Sequence, residues 1–453
     1  MEKNKSIKLA DQNIQLGSSH IFKDSQKIPF DRTSYMIQFM NNNLAYKEYI
    51  KKKNILDEDQ LILKEFKNKY SSYRINWLET PKRYAYNSLL EEKIPNPLCV
   101  DIEIASICDL ACPHCFREYI MTPDKIMHDD LYKKIVKSIK KLDVPSIKLN
   151  WRGEPLLHPK IVDFIKYAKQ NGILEVIINT NATKLDSEMS KKLIESGLDQ
   201  IIFSFDGGNK KTYDKMRPGR FENNNFEKIY KNIKNFCDMR NRLNSKFPTS
   251  KIQMVLTSDT RNEIDDFYSL FNPYVDDVTV LQYNERGGNI SDLSEINKNK
   301  IKTYLSNNKL DENTPYMVTA NDEIFISGER LPCAQIFQRL MVTYDGKVGM
   351  CCHDWGAQHC IGYLSDRAFD EEKVIQDLER SIVNNKKGFE LLKHTKKPKV
   401  YNIPEKKIDE IDDIWRGEEL NKVRKLHAKK KLNDIEVCKG CTFKDTYAWT
   451  KIT

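Results

Sequence analysis

Val100-Asp101-Ile102-Glu103-Ile104-Ala105-Ser106-Ile107-Cys108-Asp109-Leu110-Ala111-Cys112-Pro113-His114-Cys115-Phe116 is the stretch that decides the fold. Its first half alternates apolar and acidic side chains, the pattern of a strand with two unlike faces. Its second half spaces Cys108, Cys112 and Cys115 as C-x3-C-x2-C. Three thiols cannot all pair as disulfides, because one sulfur is left over. Three thiolates can instead hold three corners of a 4Fe-4S cube and leave the fourth iron open. A site that only braces a fold or relays electrons fills its coordination positions with protein, so an open corner points to chemistry at the metal. The competing reading is structural zinc. Zinc fingers usually show two C-x2-C pairs close together, whereas here a single pair stands with only His114 as a further donor nearby.

Working outward, the chain from about Val100 to Tyr283 alternates short β-rich runs with amphipathic stretches. The pattern predicts strands over Val100–Ile104, Ile147–Trp151, Val176–Asn179, Ile201–Phe205, Ile252–Leu256 and Val278–Gln282. It predicts helices around Leu131–Lys141, Ile161–Gln170, Glu188–Glu195, Phe226–Arg240 and Glu263–Phe271. Each strand is followed by a crossover long enough for parallel pairing. Repeated βα units give an α/β barrel or a doubly wound sheet, and in both the functional residues gather at the C-terminal ends of the strands. Residues before about Asn96 read as helical over Tyr46–Tyr70, with Pro95-Asn96-Pro97 as a boundary, and suggest a surface-packing extension.

Further strings follow the predicted strands in order. After the second comes Trp151-Arg152-Gly153-Glu154-Pro155, after the third Asn179-Thr180-Asn181-Ala182-Thr183, and after the fourth Ser204-Phe205-Asp206-Gly207, with Arg217 thirteen residues beyond Ser204. With the cysteine loop, these resemble the radical S-adenosylmethionine (SAM) enzymes. The resemblance implies a partial (β/α)6 TIM-like barrel of parallel strands, a SAM-binding 4Fe-4S cluster on Cys108, Cys112 and Cys115, and SAM itself. It assigns Phe116 to the aromatic place after the last cysteine. Arg152, Gly153 and Glu154 match a Gly-Gly-Glu-Pro string beside the SAM amino group, with Arg152 in place of the first glycine. Asn181 lies in a Thr-Asn-Gly-Thr-like string, Ser204 matches a ribose-contacting serine, and Arg217 resembles an arginine that holds the SAM carboxylate. A glycine lets backbone approach a ligand, and a carboxylate can accept from an ammonium group.

A second cysteine group begins at Cys333 and includes Cys351, Cys352, Cys360, Cys438 and Cys441. Val342 to Val348 reads as a hairpin around Asp345-Gly346. The order of cysteine, hairpin, cysteine and distant C-x2-C resembles the SPASM or shorter twitch extension of radical SAM enzymes. It implies one auxiliary 4Fe-4S cluster on Cys333, Cys351, Cys438 and Cys441, fully ligated and acting as an electron relay. Neighbouring Cys352 could replace Cys351, though adjacent strand residues point to opposite faces. Tetrahedral zinc would also suit four such cysteines. In some related maturases an aspartate base follows the hairpin cysteine. Cys352 holds that place here, so His353 and Asp354 are the candidates for the catalytic base. Cys99, Cys237 and Cys360 read as small buried hydrophobes. Ile414-Trp415 matches the family's Ile-Trp helix, and the stretch near 366–410 reads as an insertion. The expected division is 1–95 as a mainly helical extension, 96–290 as the barrel and 291–453 as the SPASM/twitch-like domain.

The formal charge of +9 is spread over 74 Lys and Arg interleaved with 65 Asp and Glu, without a dense basic block, which argues against nucleic acid as partner. The N-terminus leads into no apolar segment, and no run of eighteen or so apolar residues suggests a membrane span. A cytoplasmic location is expected, where eleven cysteines argue for metal or redox chemistry rather than disulfides. The expected activity is oxidation of a substrate C–H bond by a SAM-derived radical, with a flavodoxin- or ferredoxin-type electron donor. A small-molecule substrate, carbohydrate or amino-cyclitol, is favoured. Peptide modification and a non-catalytic iron–sulfur sensor are the alternatives.

Overall fold

A computed structural model describes residues 30–52, 60–86, 93–282, 295–311, 314, 316–318, 324–370, 373–376, 378, 397–439, 441, 443 and 446–452. Six strands, β1 (Cys99–Ile102), β2 (Ser146–Lys148), β3 (Glu175–Thr180), β4 (Gln200–Ser204), β5 (Thr249–Leu256) and β6 (Asp277–Gln282), pair in parallel and in chain order. The five expected helices connect them. Sequential order, without the reversal of a doubly wound sheet, makes this a barrel-type α/β fold.

Alternation along the strands separates two environments. Val100, Ile102, Ile147, Val176, Ile178, Ile201, Phe203, Ile252, Met254 and Val280 are buried against the helices in one core. Helix Asp129–Lys141 shows how the other layer answers. Leu131, Tyr132, Ile135, Val136 and Ile139 recur at helical spacing on its buried side, while acids open it and lysines close it, complementing its dipole. The opposite strand face carries Asp101, Lys148, Asn179, Ser204 and Gln253 and lines a cavity. Closed TIM barrels fill that interior with bulky side chains, so a polar, open interior marks it as the working space.

The strand expected to run to Trp151 ends at Lys148. Beyond Leu149, whose N–H still donates to Ile177 O at 2.9 Å, the chain turns so that Gly153 packs on the cysteine loop. The expected hairpin is β9 (Arg339–Val342) and β10 (Lys347–Gly349), turning through Gly346 at φ +98°. β9 also pairs in parallel with β1, Arg339 opposite Cys99 and Val342 opposite Ile102. The C-terminal region therefore continues the barrel sheet, giving the order β11-β10-β9-β1-β2-β3-β4-β5-β6 with β11 at Cys360–Tyr363. A separate antiparallel sheet joins β7 (Tyr316–Val318), β8 (Ile324–Arg330) and β12 (Tyr447–Ile452). Trp415 is fully buried in helix Ile411–Arg416, with its Nε1–H donating to Pro95 O at 2.8 Å. The insertion expected near 366–410 falls partly outside the described residues. Its returning part runs along β11, where Asn402 Nδ2 donates to Cys360 O at 2.6 Å.

The helical pattern over Tyr46–Tyr70 resolves into helices Leu44–Lys52 and Gln60–Pro81, with 53–59 outside the described residues. These helices dock on the N-terminal ends of the barrel strands through buried polar contacts. Asn43 Nδ2 donates to Asp199 Oδ1 at 2.5 Å, and the Tyr70 and Tyr73 hydroxyls donate to the two Glu175 oxygens at 3.0 and 3.1 Å. Arg32 pairs with the same carboxylate. Burial alone would raise the Glu175 carboxyl, but Arg32 and Arg74 outweigh it and hold it below its ordinary value. The extension is thus a base plate on the side away from the strands' C-terminal ends. Among the described residues no helix is long and apolar enough to cross a membrane.

Candidate active site and second cysteine centre

The cysteine loop leaves β1 and is tied on three sides. Glu154 N–H donates to Ile107 O, Ala111 N–H to Pro218 O, and Arg220 N–H to Asp109 O, at 2.8 to 2.9 Å. Asp109 accepts from Asn181 Nδ2 at 2.8 Å and Thr183 Oγ1 at 2.7 Å. Arg117 is buried, donating to Ser106 O and pairing with Asp124, which also takes Arg220 at 2.9 Å. The loop is therefore held by the segments that follow β2, β3 and β4. Gly153 has a local reason: a Cβ there would lie 2.4 Å from both Ala105 O and Ile107 O. The glycine admits the protein's own backbone at this point.

Cys108, Cys112, Cys115, Phe116, Arg152, Gly153, Glu154, Asn181, Ser204 and Arg217, all singled out in the sequence, border one cavity of about 420 Å³ at the barrel mouth. Several of their side chains also bond within the protein. Arg152 forms a bidentate pair with Glu103, 2.6 and 2.7 Å, both buried, and lies 4.5 Å over the Trp151 ring. Its guanidinium is thus paired with Glu103 while the residue still borders the chamber. Glu154 accepts from Leu156 N–H at 3.0 Å, Thr180 Oγ1 at 2.7 Å and Asn181 N–H at 2.7 Å. Burial pushes its carboxyl up to about 7 in spite of those donors. Arg217 binds Asp206 through Nε at 2.7 Å and Nη2 at 2.6 Å, and His114 Nε2 reaches the same carboxylate at 3.2 Å. Burial would raise Asp206, but Arg217 and His114 hold it well below the usual carboxylate range.

The thiols fit a group that accepts thiolate charge. Burial pushes Cys108 up to about 12 and Cys112 well above its ordinary value, with Arg217 opposing at Cys112. Left alone these sulfurs stay protonated, and a ligated metal supplies the compensating positive charge. No disulfide joins any of the eleven cysteines. Among the described residues no three His, Cys, Asp or Glu side chains converge as tightly as a single bound ion requires; the cysteines surround cavities instead.

Cys333, Cys351, Cys438 and Cys441 line a second, smaller cavity with His427, Arg330 and the apolar Ile336, Leu432 and Val437. Burial drives Cys351 and Cys438 well above the ordinary thiol value, and the other sulfurs add to it. The neighbours Cys351 and Cys352 part company: Cys351 faces this cavity, while Cys352 lines the barrel-mouth chamber. His353 and Phe443 border both cavities, their rings in tilted contact at 4.3 Å and 35°. Asp354 does not reach the chamber. It is fully buried, and its oxygens accept from Gln358 N–H and His359 N–H at 2.9 Å, so it braces the loop.

Four residues that the sequence reading gave no role hold this arrangement. Glu103 and Asp206 sat inside strings already noted, as acids at strand ends. His114 is wedged between two cysteines. His427 is isolated in sequence and carries no signal of its own. Burial and Arg330 hold its imidazole neutral, down to about 3.

Residues 102–271 match the model of the Radical SAM superfamily. The chain is 36% identical over 106 residues to the tungsten-containing aldehyde ferredoxin oxidoreductase cofactor-modifying protein of Pyrococcus furiosus, 23% of this chain and 30% of that protein. It is 24% identical over 204 residues to the mycofactocin maturase of Mycolicibacterium smegmatis, 45% of this chain and 49% of the relative. The matched region thus spans less than half the length of these relatives. Among solved structures, Streptococcus suis SuiB bound to the precursor peptide SuiA aligns over 91% of this chain and 83% of its own, at TM-score 0.47 and 14% identity.

Proposed function

We propose that the chain, whose residues 102–271 match the Radical SAM superfamily, members of which bind a 4Fe-4S cluster and SAM, oxidises a C–H bond of a polar small molecule. The observation that carries this reading is the wall shared by the two cysteine-lined cavities, built by His353 and Phe443. When bound, the first cluster and SAM supply a 5'-deoxyadenosyl radical, and an auxiliary cluster on Cys333, Cys351, Cys438 and Cys441 supplies an acceptor for the second electron.

The chain's own residues then have defined tasks. Cys108, Cys112 and Cys115 hold three irons of the first cluster. Phe116, packed on Trp355 at 5.6 Å, closes one side of the SAM site. Asn181, Ser204 and the free edge of Arg217 offer polar contacts to SAM, while Glu154 and Arg152 keep the loop in shape. His353 is the acid–base candidate that borders the chamber, placed to take the proton that leaves with the substrate's second electron. Substrate would lose two hydrogens and two electrons, one as the hydrogen atom that completes 5'-deoxyadenosine and one as an electron to the auxiliary cluster with a proton to His353, while the electron that splits SAM would come from the first cluster, reduced by the external donor.

Substrate class follows from the chamber lining. Asp101, Lys148, Asn150, Asn179 and Gln253 present charged and amide groups on the inner strand face, suited to hydroxyls of a carbohydrate or amino-cyclitol. Peptide modification is the second reading. The N-terminal helices dock under the barrel, at Glu175 and Asp199, so a peptide would have to be held without them as a clamp. A flavodoxin- or ferredoxin-type protein is the proposed electron donor.

A metal count tests the two-centre reading. Protein carrying Cys108→Ala, Cys112→Ala and Cys115→Ala, reconstituted anaerobically, is expected to keep about half of the parent's iron and acid-labile sulfide. Iron falling to background would remove the auxiliary centre, and zinc in its place would make it structural.

A further inference from the structure

We infer that His427 is a positioning residue of the second cysteine centre, locked in one tautomer so that its Nε2–H donates to the Cys438 sulfur. The inference rests on the reading of Cys333, Cys351, Cys438 and Cys441 as cluster ligands.

His427 lies in helix Glu418–Ala428 and is 1% exposed. The backbone N–H of Cys333 donates to its Nδ1 at 3.2 Å. A ring nitrogen that accepts from an amide cannot itself carry a proton, so the proton of the neutral ring sits on Nε2. Nε2 lies 3.4 Å from Cys438 Sγ. The only hydrogen-bond sense compatible with that tautomer is N–H to sulfur, and it strengthens when the sulfur is a thiolate. One buried imidazole thereby joins the backbone of the first candidate ligand to the sulfur of the third, across 94 and 11 residues of sequence. Arg330 adds a donor to the Cys438 carbonyl, and Ile336, Leu432 and Val437 complete an apolar surround. A histidine buried only for packing needs no such pair of partners.

The effect is on redox balance. A hydrogen bond to a ligating thiolate withdraws charge from it and stabilises the more negative, reduced state, and hydrogen bonds to sulfur are among the levers that set cluster potentials. His427 would thus make the auxiliary centre a better acceptor for the substrate's electron.

The test uses the full chain with Cys108→Ala, Cys112→Ala and Cys115→Ala, so that the resonance signal comes from the second centre alone. Parent, His427→Leu and His427→Gln are titrated electrochemically and read by electron paramagnetic resonance. Leucine removes the donor; glutamine keeps one and can still accept from Cys333. The expected result is a reduced-to-oxidised ratio about tenfold lower in His427→Leu at fixed potential, roughly 59 mV for a one-electron couple. His427→Gln is expected to recover most of that shift. If the leucine variant does not load, His427→Phe, a donorless ring of similar size, should show the same fall. Equal potentials at equal iron content overturn the inference. A background protein that takes up no iron overturns instead the cluster reading beneath it.

Discussion

Replacing Cys112 with alanine is expected to reduce 5'-deoxyadenosine formation from SAM to background while leaving the second centre's resonance signal in place. Cys112 is buried between the other two loop cysteines and Arg217, so no other sulfur or nitrogen can move into its position without unpicking the loop. The loop is fixed by Asp109, Arg117 and Arg220, and losing one ligand leaves two thiols on a rigid frame. Cys333, Cys351, Cys438 and Cys441 line a separate cavity, which is why the second signal should survive. Anaerobic incubation with dithionite and SAM, read by chromatography, checks it. Product at the parent's rate would contradict the ligand role of Cys112.

Arg152→Ala is expected to destabilise the protein by about 3–5 kcal/mol, because it strands a fully buried Glu103 carboxylate. The pair is bidentate and buried on both sides, and Glu103 also accepts from Tyr344 N–H at 3.3 Å, so the loss is felt in β1, the loop after β2 and the C-terminal hairpin together. Stacking on Trp151 is lost as well. The double change Arg152→Met with Glu103→Leu should cost markedly less, since removing both charges leaves none uncompensated. Urea midpoints at unchanged slope measure both. A single-variant loss below about 1 kcal/mol, the scale of an exposed pair, would show that the pair is solvated and carries little of the fold.

What could be read from sequence follows from how local each cause is. The six barrel strands were legible because alternation in a stretch such as Val100–Ile104 is set by neighbours two residues apart, and helix 161–170 was placed to the residue by its apolar spacing. The docking of β9 beside β1 was not legible. It joins Arg339 to Cys99 across the whole barrel, and four residues of Arg339–Val342 carry no mark of their partner. Motif residues were found as types, and the protein contacts they also make were not legible. Gly153, Glu154 and Arg152 stand at the chamber, yet each is spent chiefly on holding the cysteine loop, something only packing reveals. Cys351 and Cys352 lie beyond the end of β10, in irregular chain and a turn rather than a strand, and it is this turn that sends the two side chains to different cavities. His427 had no neighbouring motif to announce it.

The central claim is that one of two iron–sulfur centres keeps a corner open for SAM, and electron paramagnetic resonance of the reduced, reconstituted protein before and after SAM addition tests it most directly. The account predicts that the signal lost in Cys112→Ala changes its g values when SAM is added, while the other signal stays as it was. Two signals that are both indifferent to SAM would contradict it.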